Sequence, residues 1–307
     1  MVEESERTAV PPSSSLPAAG RSGLIAEVAA LVGSGREATW IVEHAQAVAD
    51  DDPGCRASAL DLARRRATGE PLQYVLGTWQ FRSLELQLDP RVLIPRSETE
   101  QVVEVALGEL ARIALGRRGG TEPLVCVDLG TGSGAIALSL AVEWPRGAVP
   151  LEVWATDASP EALEVARINL GRQAIRDRDA AARVTLAGGT WFDALPPRLS
   201  GNVDLIVSNP PYVAEDQFDD LDPTVRDWEP RRALVASRGR SGVAGTADIE
   251  TVVAGAPVWL RGSGALVVEL DPAQAHASLD MARRVRFSRV ETAPDLAGRT
   301  RMLVAER

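Results

Sequence analysis

The sequence predicts an α/β protein: a doubly wound sheet preceded by a small helical bundle, the two joined by a β-hairpin. Three observations predict it. From Leu124 onward, apolar runs of strand length alternate with longer stretches of helical period. The first of those runs enters a glycine-rich turn, Asp128-Leu129-Gly130-Thr131-Gly132-Ser133-Gly134. Ahead of residue 70 the periodic segments are all helical.

In chain order, residues 1–22 contain Pro11-Pro12-Ser13-Ser14-Ser15 and few large apolar groups, so a disordered tail is expected. Residues 23–75 are assigned to the bundle. Leu24, Ile25, Val28, Leu31 and Val32 share one helical face, and Gly33-Ser34-Gly35 ends that helix. Trp40, Ile41, His44, Ala45 and Val48 repeat the pattern, and Cys55–Ala67 forms a third helix after the break at 50–54. Within 76–95, Leu84, Leu86 and Leu88 alternate with Glu85 and Gln87, the period of a strand, and this stretch is taken as the hairpin linker. The third region is 96–307. Ser97-Glu98-Thr99-Glu100 reads as a capping box opening a helix to about Leu115, and 117–120 as a loop. Strands are expected at 124–128, 151–156, 183–187, 203–208, 264–270 and 300–305. Helices are expected over 135–142 and from Ser159-Pro160 toward Leu170, the latter on an N-cap followed by proline.

Composition removes several function classes. The net charge is −10, from 43 acidic and 33 basic residues, and every basic residue is arginine. A chain so acidic is a poor match for the phosphates of duplex nucleic acid. The two cysteines and two histidines show no disulfide or zinc spacing, so no metal is expected. No run approaches the ~18 apolar residues of a membrane span, and the acidic N-terminus lacks a signal-peptide core. A cytoplasmic monomer without membrane association is expected.

Two motifs carry the chemistry. In the glycine turn, Gly130, Gly132 and Gly134 let the backbone approach a ligand at the carboxyl end of the first strand, where open α/β sheets bind ligands. Asp157 ends the next strand, roughly twenty residues on, the position of an acid that holds a ribose diol. Alone, these residues fit a dinucleotide site as well as a nucleoside site. The second motif, Asn209-Pro210-Pro211-Tyr212, follows the apolar run 203–207. Asn209 offers a carbonyl oxygen to a substrate NH2, and Pro210, which has no N–H, presents only its carbonyl. Tyr212 can wall or stack on a planar group. Two acceptors facing one planar NH2, beside a nucleoside site, suit methyl transfer from S-adenosylmethionine; hydride transfer has no use for them.

The glycine turn together with Asn209–Tyr212 resembles the amino-methyltransferases that alkylate glutamine amides or adenine N6. The stretches 69–77 (Gly-Glu-Pro-Leu-Gln-Tyr-Val-Leu-Gly) and 93–100 (Leu-Ile-Pro-Arg-Ser-Glu-Thr-Glu) narrow this, with Thr190-Trp191-Phe192-Asp193, Trp228-Glu229-Pro230 and Asp295–Arg299. All are similar to the peptide chain release factor glutamine methyltransferases, over residues 24–307 in unbroken order. The resemblance implies a Rossmann-like sheet and S-adenosylmethionine held by Asp128, Gly130, Thr131, Gly132, Ser133, Gly134, Asp157, Trp191, Phe192 and Asn209, with Trp191 against the adenine. It places the acceptor at Asn209–Tyr212, with Asn209, Pro210 and Tyr212 catalytic. The implied substrate is the glutamine of the Gly-Gly-Gln motif in class 1 release factors, gripped by the helical region. A ribosomal protein, adenine N6 of a nucleic acid, and a binding module without catalysis are the alternative readings. Arg96 and Glu98 are placed near the site by resemblance alone. One stretch departs from the family pattern: Glu269-Leu270-Asp271-Pro272-Ala273-Gln274-Ala275 lacks the two glycines usual after this strand, which bears on the substrate side.

Overall fold

The computed structural model describes residues 18–49, 51–117, 122–145 and 149–307. The tail expected at 1–22 lies outside them up to residue 17, and the loop expected at 117–120 lies outside them from residue 118. The chain divides after Leu76 into two compact units.

The first unit is helical: α1 (Ala18–Val32), α2 (Gly35–Val48), α3 (Asp52–Ala67) and the short α4 (Leu72–Leu76). Helix α1 already begins at Ala18, inside the stretch read as tail. Ser34 caps α2 by accepting from the Glu37 N–H, and Asp51 caps α3 by accepting from the Gly54 N–H. The interior holds Leu24, Val28, Ala38, Ile41, Val42, Ala45, Cys55, Ala59, Leu62 and Ala63. The buried stripe of α2 is 38-41-42-45, so Trp40 and Val48 face outward at 38% and 62% exposure, and Leu31 of α1 is 44% exposed. Of the larger apolar groups expected there, Leu24, Val28 and Ile41 are buried beside small alanines, and Leu31, Trp40 and Val48 are turned out.

The second unit opens with the hairpin β1 (Thr78–Phe81) and β2 (Leu84–Gln87), paired antiparallel. It is fastened within this unit. The Arg82 N–H donates to Glu100 Oε1 at 3.0 Å, and Arg82 Nε donates to Glu143 at 2.7 Å. Asn169 accepts from the Gln87 N–H at 2.7 Å and donates to the Gln87 and Ser133 carbonyls. One side chain thus ties the hairpin to the glycine turn. The capping box expected at 97–100 does not form. Helix α5 (Thr99–Gly116) starts behind Glu98 without a side-chain cap, because Ser97 donates to Glu98 and Glu100 is taken by the hairpin.

The remaining elements are β3 (Leu124–Leu129), α6 (Ala135–Glu143), β4 (Leu151–Asp157), α7 (Pro160–Arg176), the single turn α8 (Arg178–Ala181), β5 (Val184–Gly188) and β6 (Val203–Ser208). After these come a two-residue β7 (Val213–Ala214), single turns α9 (Pro223–Arg226) and α10 (Arg231–Leu234), and β8 (Val235–Ala236), which pairs with β7. The chain closes with α11 (Ala247–Trp259), β9 (Leu260–Glu269), α12 (Ala275–Arg284), β10 (Arg289–Pro294) and β11 (Thr300–Glu306).

Seven strands form one sheet in the order β10-β11-β9-β6-β3-β4-β5. Strands β9, β6, β3, β4 and β5 run parallel, and β11 is antiparallel to both neighbours. The chain winds outward from β3 to β5, then returns to β6 on the other side of β3, which makes the β3–β6 gap a topological switch point. Strands β3 and β6 are buried along their whole length, as parallel strands covered on both faces must be. Val125, Val127 and Leu129 pack with Ile249, Val252, Val253 and Ala256 of α11. The alternation of strand side chains therefore turns Cys126 and Asp128 to the opposite face, that of α5 and α6. No helix among the described residues is long and apolar enough to cross a membrane.

Candidate active site

A cavity of about 320 Å³ opens at the carboxyl ends of β3, β4 and β6. Pairing of Asp128 with Val207 and of Leu129 with Ser208 brings the glycine turn level with Asn209. The cavity is lined by Gly130, Gly132, Asp157, Trp191, Asn209, Pro211, Pro230 and Asp248, with Arg91–Leu93 and Arg232 among the rest.

The cofactor side is a backbone construction. Gly130 and Gly132 hold φ of +77° and +54°, a left-handed path that L side chains resist. The turn is pinned from two directions. Asp157 Oδ2 accepts from the Gly132 N–H at 2.9 Å, and its Oδ1 accepts from the Ser159 N–H at 2.8 Å. Burial raises the Asp157 carboxyl above its usual range, opposed by those backbone donors. Below the turn, Asp128 Oδ2 accepts from the Thr131 hydroxyl at 2.7 Å and from the Ala137 N–H, one of the free donors in the first turn of α6. Asp128 is fully buried, its Oδ1 has no hydrogen-bond partner, and desolvation pushes its pKa up to about 7.

Trp191 takes an unusual φ of +48°, lies over Gly130, and its indole hydrogen-bonds Asp248, another cavity residue whose carboxyl burial raises. Phe192 turns the other way. Its ring stacks on Trp259 at 6.0 Å between centroids and fills the place where a side chain at Gly255 would sit.

The acceptor side is built from side chains distant in sequence. Asn209 Nδ2 donates to Thr99 Oγ1 at 3.1 Å, and Thr99 Oγ1 donates to Glu269 Oε2 at 2.7 Å. Thr99 and Glu269 are 3% and 2% exposed, and burial pushes the Glu269 pKa up to about 7. Gln274, in the stretch without the usual glycines, donates to the Tyr212 carbonyl at 2.8 Å and to the carbonyls of Ala244 and Gly245. This stretch thus braces the Asn-Pro-Pro-Tyr loop from behind. Tyr212 itself is largely enclosed, and burial raises its phenol to about 12. The segment 93–96 is held by Glu229, which accepts from the Ile94 N–H at 3.1 Å and pairs with Arg96 at 2.6 Å. Glu98 pairs with Arg299 at 3.0 Å.

Of the residues singled out in the sequence, Gly130, Gly132, Asp157, Trp191, Asn209 and Pro211 meet at the cavity. Asp128 and Thr131 lie beneath it, bonded to each other; Ser133 and Gly134 belong to the same turn, and neither lines the cavity. Phe192, Pro210 and Tyr212 do not line it either. Arg91, Val92, Leu93, Asp248 and Thr99 carried no local signal as site residues. Glu269 had one clue, an acid at the carboxyl end of a central strand, as Asp157 is.

The lining suits a nucleoside: a carboxylate for a diol, an indole for a planar base and glycines that admit close approach. The methyltransferase small domain family matches residues 121–222. Release factor glutamine methyltransferases are similar over most of the chain. The one from Moorella thermoacetica is 42% identical, covering 79% of this chain and 77% of its own length. That from Burkholderia pseudomallei is 40% identical, covering 80% and 79%, and that from Bordetella pertussis 39%, covering 86% and 87%. The chain belongs to the release factor glutamine methyltransferase family. It is accordingly an S-adenosylmethionine-dependent methyltransferase on a Rossmann-like sheet.

Proposed function

We propose that this enzyme methylates the side-chain amide nitrogen (N5) of the glutamine in the Gly-Gly-Gln motif of class 1 release factors. The observation that carries the reading is Asn209. It lines the same cavity as Asp157 and the glycine turn, while its NH2 is occupied by Thr99. What it offers the cavity is a carbonyl oxygen, an acceptor for a substrate N–H.

S-adenosylmethionine supplies an electrophilic methyl group on a sulfonium. Asp157 holds the ribose, and Trp191 walls the base. An amide nitrogen is a weak nucleophile because its lone pair is delocalised into the carbonyl. In this reading Asn209 Oδ1, which lines the cavity, accepts one of its N–H bonds, and the carbonyl of Pro210, the next residue but outside the lining, accepts the other; together they turn the lone pair toward the methyl and stabilise the positive charge growing on nitrogen. The methylated nitrogen is acidic and loses its extra proton to water, so no strong general base is needed.

The lining residues all belong to the second unit. The role of the helical unit in this reading is to grip the folded release factor, in the cytoplasm where that factor works. Incubation with labelled S-adenosylmethionine and a purified class 1 release factor, followed by mass spectrometry, should find one methyl on the Gly-Gly-Gln glutamine. Deleting residues 1–76 should leave S-adenosylmethionine binding intact by calorimetry and abolish methylation of the intact factor. Label appearing in a ribosomal protein or in DNA, with the glutamine unmodified, would overturn the reading.

A further inference from the structure

We propose that Thr99 and Glu269 are positioning residues that set which end of the Asn209 amide faces the acceptor. This inference rests on the proposed amide chemistry. Its basis is the directionality of a buried chain of hydrogen bonds. A threonine hydroxyl has one proton and two lone pairs. In this site the proton goes to Glu269 Oε2 at 2.7 Å, so only lone pairs remain on the side of Asn209. Lone pairs accept, and the Asn209 group facing Thr99 is therefore its NH2, at 3.1 Å. The carbonyl oxygen is left pointing the other way.

Reversing the amide would set two acceptors against each other unless Thr99 withdrew its proton from Glu269. That carboxylate is 2% exposed, so losing the bond would leave a charge without water to replace it. The polarity of the acceptor site is thus stored two residues back from it, in a side chain that never meets the substrate. A protonated Glu269 would lose this hold, since it can donate to Thr99 and free the hydroxyl to donate to Asn209. The groups around Glu269 are Arg301 of β11, Arg96 and Glu98 ahead of α5, and the phenol of Tyr212. With burial raising its pKa to about 7, Glu269 changes charge within the working range.

The test compares T99V, T99S and E269Q in the full-length enzyme, with wild type run first to establish glutamine methylation. T99V should lower kcat by roughly 10- to 100-fold, the scale of one bond to a charged group. The KM for release factor and the calorimetric affinity for S-adenosylmethionine should change less than about threefold on that same scale, because the substitution acts on orientation. T99S keeps the hydroxyl and should recover most of the rate. The kcat of wild type should rise with pH through the Glu269 titration, and E269Q should lose that rise. Equal kcat for T99V and T99S would overturn the relay, and so would an unaltered pH profile in E269Q. A wild-type enzyme that leaves glutamine unmethylated would instead sink the proposed function.

Discussion

The two halves of the cavity are made in different ways. Apart from Trp191, the cofactor half comes from one stretch, 128–157, in which backbone donors, glycines and two aspartates lie close in sequence. The acceptor half is assembled from Thr99, Asn209, Glu229, Glu269 and Gln274, joined by hydrogen bonds that span as much as 170 residues. The first is a turn that a short peptide pattern can specify. The second exists only once the sheet has brought the ends of β6 and β9 alongside the start of α5. A change in the acceptor half should therefore act on turnover, and a change in the cofactor half on affinity.

The largest effect separating the halves is expected from Asn209→Ala. It removes the acceptor that faces the substrate amide and should cut kcat by roughly 10²–10³-fold, the scale of one preorganised polar group. Affinity for S-adenosylmethionine should stay near that of wild type. Single-turnover kinetics beside calorimetry would check it; near-normal turnover would remove the two-acceptor mechanism.

A smaller effect of the opposite kind is expected from Asp157→Ala. The side chain both faces the cavity and pins the Gly132 and Ser159 N–H groups, so its loss should weaken cofactor binding by about 1.5–3 kcal/mol. Titration with S-adenosylhomocysteine reads this directly. Unchanged affinity, with turnover alone reduced, would break the division between the halves.

The last effect concerns stability. Asp128 has a pKa of about 7 when folded, against about 4 for a free aspartate. The folded chain then holds a proton that the unfolded chain has released, so this residue's contribution to stability falls as pH rises from about 4 to 7. In Asp128→Asn that contribution should vanish, leaving a Tm that declines less between pH 5 and pH 8 than in wild type. Parallel Tm profiles for the two proteins would show that Asp128 is ionised without penalty.

The same contrast explains what could be read from the sequence. The parallel strands, the turn and Asp157 were legible because their signals are local: apolar runs, glycine spacing and an acid at a strand end. Strand β10 was not, because Arg289-Val-Glu-Thr-Ala-Pro294 is an edge strand, half-exposed along its length and without a continuous apolar face. The outward turn of Trp40 was not, because helical spacing does not say which of two adjacent stripes the neighbouring helices will cover. The capping box at 97–100 failed for a long-range reason, since Glu100 was recruited by a hairpin turn 18 residues upstream. Thr99 was invisible as a site residue, and Glu269 showed only its place at a strand end, because nothing near either one in sequence names its partner.

The return of the chain to β6 across β3 has a consequence for inheritance. Residues 124–188 wind to one side of the switch point and 203–269 to the other, so the glycine turn with Asp157 comes from one segment of the gene and Asn209, Glu229 and Glu269 from the next. Variation can accumulate in the later segment, altering what is methylated, while the earlier one goes on serving the same donor. The β3–β6 ladder and the Val125–Asp204 and Ser208–Leu129 hydrogen bonds join the two segments across this boundary. Thr99 is a further residue that a graft of the later segment would have to bring along, since it precedes both segments and yet belongs with the second.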